Sequence, residues 1–393
     1  MKYRDMLKAG FTEAVQWRRH LHRHPELSYQ ETKTANFVAE KLRSWGLEVT
    51  VQIGGGGVTG LLKGALPGPT IALRADMDAL PIQDAKSCDY ASTVPGVMHA
   101  CGHDAHTSAL LLAAKVLSGN REHLEGSIKF MFQHAEEQTP GGAAAMIEDG
   151  VLDDVDAVYG VHLWTPLPAG HVYCTPGPMM AAADEFTITI KGKGGHGGLP
   201  HQTVDAVMVS SQLVVNLQTI VSRGLNPLKP AVVTVGSFHG GTTFNIIAET
   251  CTLKGTVRTF DESTRIEAKE RLEFLVHHTC TSFGASSDVK YVLGYPPVVN
   301  DPNEASRFRR VADLLFGEAY VQEMEWLMAG EDFAYYLQKV PGCFMIVGAG
   351  DAENGITAPH HHPQFDIAET SILQAAELLT GMALDGLKTI GKA

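Results

Sequence analysis

The chain has 393 residues, 44% of them hydrophobic, so it can bury a large core, and at ~150 residues per domain it holds about two domains. Its 31 lysines and arginines against 44 acidic residues give a net charge of -13, which speaks against general binding to nucleic acid or to an anionic membrane. The opening MKYRDMLKAGF lacks the apolar centre of a signal peptide, no later run approaches the ~18 apolar residues of a membrane span, and Cys88, Cys101, Cys174, Cys251, Cys280 and Cys343 show no disulfide spacing, so the expectation is a cytoplasmic protein with reduced thiols.

In chain order, the first half alternates strand and helix. A short apolar strand, Ile71 to Leu73, breaks into a polar loop carrying Asp76 and Asp78. The stretch MHACGHDAH (Met98 to His106) follows, and it leads into a helical run from Ala105 to Leu117. Cys101 and His103, separated by Gly102, can reach one cation from a sharply turning loop, and thiolate beside imidazole suits zinc or another first-row transition metal. Read alone, the Cys-x-His pair is equally a structural feature or, with Cys101 as nucleophile and His103 as base, a cysteine-hydrolase dyad.

Ser127 to Phe132 reads as a buried strand running into Glu136 and Glu137, and Val155 to Leu163 as another that leaves His162 near its carboxyl end. Ligand sites in open α/β sheets gather at such ends. If the backbone stays extended, Glu136 and Glu137 point in opposite directions, one toward a metal and the other toward a water. Alone, the two glutamates read as a solvated acidic loop and His162 as a hydrogen-bonded histidine.

The style changes near Asp184. Phe186, Ile188 and Ile190 alternate with threonines, a glycine-rich turn leads to a helix from Val204 to Val221, and strands Ala231 to Phe238 and Thr250 to Phe260 precede a helix from Glu262 to about Phe283 and a strand around Tyr291. That order predicts an α+β module of one sheet and two helices. The α/β style resumes with a helix at Glu304 to Leu315, a strand at Cys343 to Val347 and a helix at Ile367 to Leu384, so the module is an insertion.

Taken in order, HRHPELSYQE, RADMDALPI, MHACGHD, QHAEE, GVHLW, KGGHGGLPH, GTVRTFD, AGEDFAYY and HHPQFD resemble the aminoacylase and hippurate-hydrolase branch of the M20 metallopeptidases over nearly the whole chain. The resemblance implies an α/β, two-domain protein: a zinc-peptidase-like catalytic domain over 1–183 and 297–393, with an inserted α+β lid and dimerisation domain over 184–296. It implies two divalent metal ions (Zn, Mn, Co or Ni) held by Cys101, His103, Glu137, His162 and His361, with Glu136 as general base. His361 is chosen within His360–His362 because the pattern places its ligand two residues before the proline, here Pro363.

Where much of the wider clan carries His-x-Asp, this chain has Arg74, Ala75 and Asp76, and Cys101 supplies the missing ligand. Asp76 and Asp104 read either as acceptors that orient a ligand or as turn residues. From the lid, the resemblance implies that His196 serves the partner subunit's site as an oxyanion donor and that Asn245 and Arg258 meet the substrate, with Gly330 of the later segment at the rim of the substrate site. It implies a homodimer or dimer-based oligomer hydrolysing small N-acyl amino acids or N-blocked peptides. The alternatives are a carboxypeptidase, an N-acetyl-diaminopimelate deacetylase, and a non-catalytic metal- or ligand-binding protein.

Overall fold

The computed structural model describes residues 2–391. The chain begins with helices α1 (Lys2–Arg23) and α2 (Thr32–Ser44), then strands β1 (Glu48–Ile53), β2 (Gly57–Lys63) and β3 (Leu66–Asp76). Helix α3 (His103–Ser118), β4 (Glu125–Gln133), α4 (Gly142–Glu148), β5 (Ala157–Pro168), β6 (Val172–Tyr173) and β7 (Gly177–Met180) follow. Next come β8 (Ala183–Lys191), β9 (Gly195–His196), α5 (Ala206–Thr219), β10 (Ala231–Gly240), β11 (Ile246–Ile247), β12 (Thr250–Thr259), α6 (Glu262–Ser282) and β13 (Ser286–Tyr295). The last stretch carries β14 (Val298–Asn300), α7 (Pro302–Phe316), β15 (Val321–Gln322), α8 (Ala334–Leu337), β16 (Gly342–Gly350) and α9 (Thr370–Thr389).

These elements form two compact units. The first comprises Met1–Met179, Val299–Glu325 and Asp332–Ala393; the second comprises Met180–Val298 and Trp326–Glu331. The sequence pattern and the resemblance place the insert at 184–296 and the whole later segment in the outer domain. Trp326–Glu331 instead returns to the second unit, where Ala181 donates its N–H to the Leu327 carbonyl at 3.0 Å and Phe260 packs on Trp326 with ring centroids 4.8 Å apart. Six residues are too few to show their own periodicity, so only these contacts assign them.

The first unit is built on an eight-stranded sheet in the order β1-β2-β4-β3-β5-β16-β6-β15. Its centre, β4, β3, β5 and β16, is parallel and reads as continuous buried apolar sequence, as a sheet covered on both faces must. Helices α1, α3 and α9 pack on one another, and α3 and α9 pack on β3. Nearly every residue of α3 is buried, which explains a composition too uniformly apolar for an amphipathic surface helix. It starts at His103 because Gly102 takes φ 93°, a left-handed turn that other residues resist.

The second unit is an antiparallel sheet, β10-β12-β8-β13, packed on α5 and α6. The period-two alternation of Phe186, Ile188 and Ile190 puts those residues in the core with Leu213, Leu253 and Leu272. Both helices are capped by an aspartate: Asp205 accepts from the N–H groups of Val207 and Met208, and Asp261 from that of Thr264, each worth ~1 kcal/mol. Buried Asp184 accepts from Arg265 at 2.6 Å, the Tyr291 hydroxyl at 2.9 Å and the Gly294 N–H at 3.0 Å. Removing Arg265 would strand that carboxylate at a cost of about 3–5 kcal/mol.

Candidate metal centre

Strands β3, β4 and β5 run parallel, and the carboxyl ends of β3 and β4 deliver Asp76 and the Glu136–Glu137 segment beside His162, which lies midway along the longer β5 rather than near its end as the sequence suggests. The Gly102 turn brings Cys101 and His103 to the same place. Two donor groups share Cys101: Cys101, His103 and His162 form one, and Cys101, Glu137 and His361 the other, with the ligand atoms of each group within 4.8 Å of one another. All five residues named as metal ligands from the sequence therefore meet.

His103 and His162 each have one ring nitrogen already committed. Asp78 takes the His103 Nδ1 proton through its carbonyl at 2.9 Å and its carboxylate at 3.1 Å, and His162 Nδ1 donates to the Leu163 carbonyl at 2.8 Å. The Nε2 atoms are left facing the cluster, that of His162 lying 3.4 Å from Cys101 Sγ. His103 Nε2 and Glu137 Oε1 are buried without a hydrogen-bond partner. Leaving such atoms unmatched costs about 1–3 kcal/mol each, and a cation within reach of both removes that cost. The donor set thus fits a divalent metal.

Charge points the same way. Burial works against a charged His103, yet Asp76, Asp78 and Glu137 outweigh it and raise the imidazole to about 10, so the site calls for a positive charge at Nε2. Burial, together with Glu137 and Glu136, pushes the Cys101 thiol well up. A thiol so placed becomes thiolate only beside a cation, and its near neighbour is His162, so the dyad of Cys101 with His103 as base is not what the geometry assembles.

Glu136 and Glu137 depart from the expectation of opposite orientations. The strand ends at Gln133 and Ala135 takes φ 53°, which breaks the extended alternation. Both carboxylates then face His103 Nε2, Glu136 Oε2 at 4.0 Å and Glu137 Oε1 at 3.8 Å. Glu136 is 7% exposed, sheltered rather than solvated.

The run His360–His362 is resolved by partners. His360 Nε2 donates to the Leu163 carbonyl at 2.9 Å and the ring stacks on Trp164, while His362 Nδ1 accepts the Gln364 N–H. His361, at φ 63°, places Nε2 3.5 Å from Glu137 Oε2.

Asp76 bonds neighbours of the proposed ligands rather than a ligand itself: Oδ1 takes the His106 Nδ1 proton at 2.7 Å, and Oδ2 takes Arg74 Nη1 at 2.7 Å and lies 3.8 Å from His103 Nε2. His106 Nε2 accepts the Leu163 N–H, so both its nitrogens are committed. Arg74 is fully buried and also binds Gln133 and Asp332. Asp104 faces Arg18 and His22, at 2.9 and 2.7 Å. The residue missed from sequence is Asp78, which holds His103 Nδ1 and also accepts the Glu137 N–H at 3.0 Å. Its signal was there in the Asp-x-Asp leaving β3.

The remaining candidates lie in the second unit. His196 and Asn245 sit together on the β9–β11 ribbon: Ile246 pairs with His196, and Gly197 donates to the Asn245 carbonyl at 2.9 Å. Both side chains are exposed, and His196 Nδ1 accepts the Gly198 N–H, leaving Nε2 as the free donor. Arg258, half-buried on β12, is pushed down from its ordinary value by burial. Gly330 adjoins it, since a Cβ there would meet Ala183 Cβ at 2.7 Å and Arg258 Nη1 at 3.4 Å.

Residues 72–385 match the model of peptidase family M20/M25/M40. The chain is 50% identical to an N-acyl-L-amino acid amidohydrolase of Geobacillus stearothermophilus over 74% of this chain and 78% of that protein. It is 44% identical to the N-acetyl-L-cysteine deacetylase of Bacillus subtilis over 92% and 85%. Among solved structures, the Bacillus subtilis YXEP protein, described as a dinuclear metal-binding peptidase from the M20 family, superposes with a TM-score of 0.85 at 35% identity, covering 98% of this chain and 100% of that one. The chain belongs to peptidase family M20/M25/M40 and is an amide-bond hydrolase of that family.

Proposed function

We propose that this protein is a metal-dependent amidohydrolase that cleaves the amide of N-acyl amino acids or small N-blocked peptides. The observation that carries the reading is the pair of buried, unmatched acceptors, His103 Nε2 and Glu137 Oε1, amid Cys101, His162 and His361 and beside Glu136. Those five residues would hold two divalent ions. Zinc suits the thiolate and imidazoles, and manganese, cobalt or nickel the mixed set. When bound, such ions polarise an amide carbonyl and acidify a water.

Glu136, sheltered and free of the strand's alternation, accepts the water proton and returns it to the leaving nitrogen. Asp78 and the Leu163 carbonyl fix the His103 and His162 tautomers that the site requires. In the second unit, Arg258 clamps the substrate carboxylate through its planar fork, Asn245 holds a carbonyl, and Gly330 leaves room beside the guanidinium. His196 supplies the oxyanion contact to substrate on the other subunit of a homodimer or dimer-based oligomer. All six cysteines are free thiols, which supports a reducing, cytoplasmic setting.

The test is a hydrolysis panel of acetyl, benzoyl and longer acyl amino acids beside dipeptides, run on metal-free protein and with zinc, manganese, cobalt or nickel restored. Metal-dependent release of amino acid from the N-acyl substrates is expected, and faster cleavage of dipeptides would make it a carboxypeptidase. Tight binding without turnover would make it a binding protein, and activity that survives chelation but not thiol alkylation would overturn the metal reading.

A further inference from the structure

The N-terminal stretch PELSYQE takes no part in the chemistry above, yet it touches the segment that carries it. Helix α2 begins after Glu31, at the cap position where a carboxylate ordinarily accepts from the helix's own first N–H groups. Glu31 makes no such bond. Glu26 does that work instead, its Oε2 accepting the Thr34 N–H at 2.8 Å and the Thr34 hydroxyl at 3.0 Å. Glu31, 4% exposed, is left to accept the Ala135 N–H at 2.7 Å.

Ala135 is the left-handed residue that ends the extended alternation just before Glu136. Two neighbours of Glu31 reach the far side of the same segment. Ser28 donates to Asp78 Oδ2 at 2.7 Å, the oxygen that also accepts the Glu137 N–H at 3.0 Å. Tyr29, itself at φ 64°, donates its hydroxyl to the Gln138 carbonyl at 3.2 Å. Ala135, Glu137 and Gln138 are thus held, directly or through Asp78, by one four-residue stretch.

We infer that Ser28–Glu31 is a clamp that sets the directions of Glu136 and Glu137, with Glu31 as its main positioning residue. This rests on the reading of Glu136 as base and Glu137 as metal ligand. Without the acceptor at Glu31, the Ala135 amide loses its buried partner and the segment relaxes toward an extended path, which turns the two carboxylates apart.

The test measures zinc affinity by chelator competition, kcat and KM on an N-acyl amino acid, and melting temperature for wild type, Glu31→Ala, Glu31→Gln and Glu26→Ala. Glu31→Ala should bind zinc roughly 10-fold more weakly and lose roughly 10- to 100-fold in kcat, with KM changed little. Glu31→Gln keeps an acceptor oxygen and should recover most of both, while Glu26→Ala should melt earlier with zinc affinity unchanged. Folded Glu31→Ala with zinc affinity within about twofold of wild type, glutamine no better than alanine, or Glu26→Ala as damaging to zinc affinity as Glu31→Ala would each overturn the clamp. If Glu31→Ala does not fold, Tyr29→Phe carries the test: a roughly twofold or greater fall in kcat supports it and no change refutes it. Wild type that binds zinc but hydrolyses nothing in the panel would sink the proposed function, while the zinc arm still decides the clamp.

Discussion

The candidate residues of the two units are held in different ways. Cys101, His103 and His162 are buried, and the Nδ1 atoms of both histidines are already committed, so their Nε2 atoms are left aimed at the cluster. His196 and Asn245 are exposed on a two-stranded ribbon held by main-chain bonds, with one further bond from the Gly198 N–H to His196 Nδ1. The contrast teaches that donors gathered in a core, where low dielectric makes each unmatched atom costly, must be aimed by their neighbours, whereas polar groups on a surface have their needs met by water.

Stripping metal should break the buried half of this contrast first. Exhaustive chelation should abolish turnover and lower the melting temperature, and zinc at 100 times its dissociation constant should return about 2.7 kcal/mol of stability. Metal-free protein that melts unchanged would show that the unmatched acceptors are not a metal site. Glu136→Gln comes next, with a fall in turnover of roughly 10²–10⁴-fold at unchanged metal content by elemental analysis. Retained turnover would remove Glu136 from the mechanism.

The exposed half is tested through His196→Ala, for which a loss of roughly 10²–10³-fold is expected of a missing oxyanion donor. Mixed with a His103→Ala subunit under exchange conditions, it should regain up to about a quarter of wild-type activity, because half the dimers are hybrid and each carries one complete site. Confirmed hybrids without activity would place His196 outside a shared site. Asp78→Ala should weaken metal binding roughly 10- to 100-fold by removing the carboxylate that accepts from both His103 Nδ1 and the Glu137 N–H, and calorimetry showing no change would deny it that role. The smallest effect is expected of Arg258→Ala, a roughly tenfold rise in KM for substrates with a free carboxylate and little change in kcat. An equal rise for the carboxamide analogue would argue against a carboxylate clamp.

Much of the fold was legible because the periodicities are strong. The alternating Phe186, Ile188 and Ile190 mark β8, and apolar runs mark β4, β5 and β16. The assignment of Trp326–Glu331 was not legible, since it rests on contacts with Ala181 and Phe260. At the site, the ligand types could be read from the motifs, but not their directions. Nothing local announces that Ala135 is left-handed, because that conformation is held by Glu31 more than a hundred residues away in sequence.

By itself the sequence determined which donors are available: a thiol and an imidazole astride Gly102, two adjacent carboxylates, and histidines at 162 and 361. Chemical type is a property of single residues and needs no fold to be read. Tertiary structure alone decided which lone pair each donor offers, by committing His103 Nδ1 to Asp78 and His360 to the Leu163 carbonyl, and by turning Glu136 and Glu137 to one side. Those choices depend on partners brought from distant strands to one buried place, where a hydrogen bond made or missed outweighs local preference.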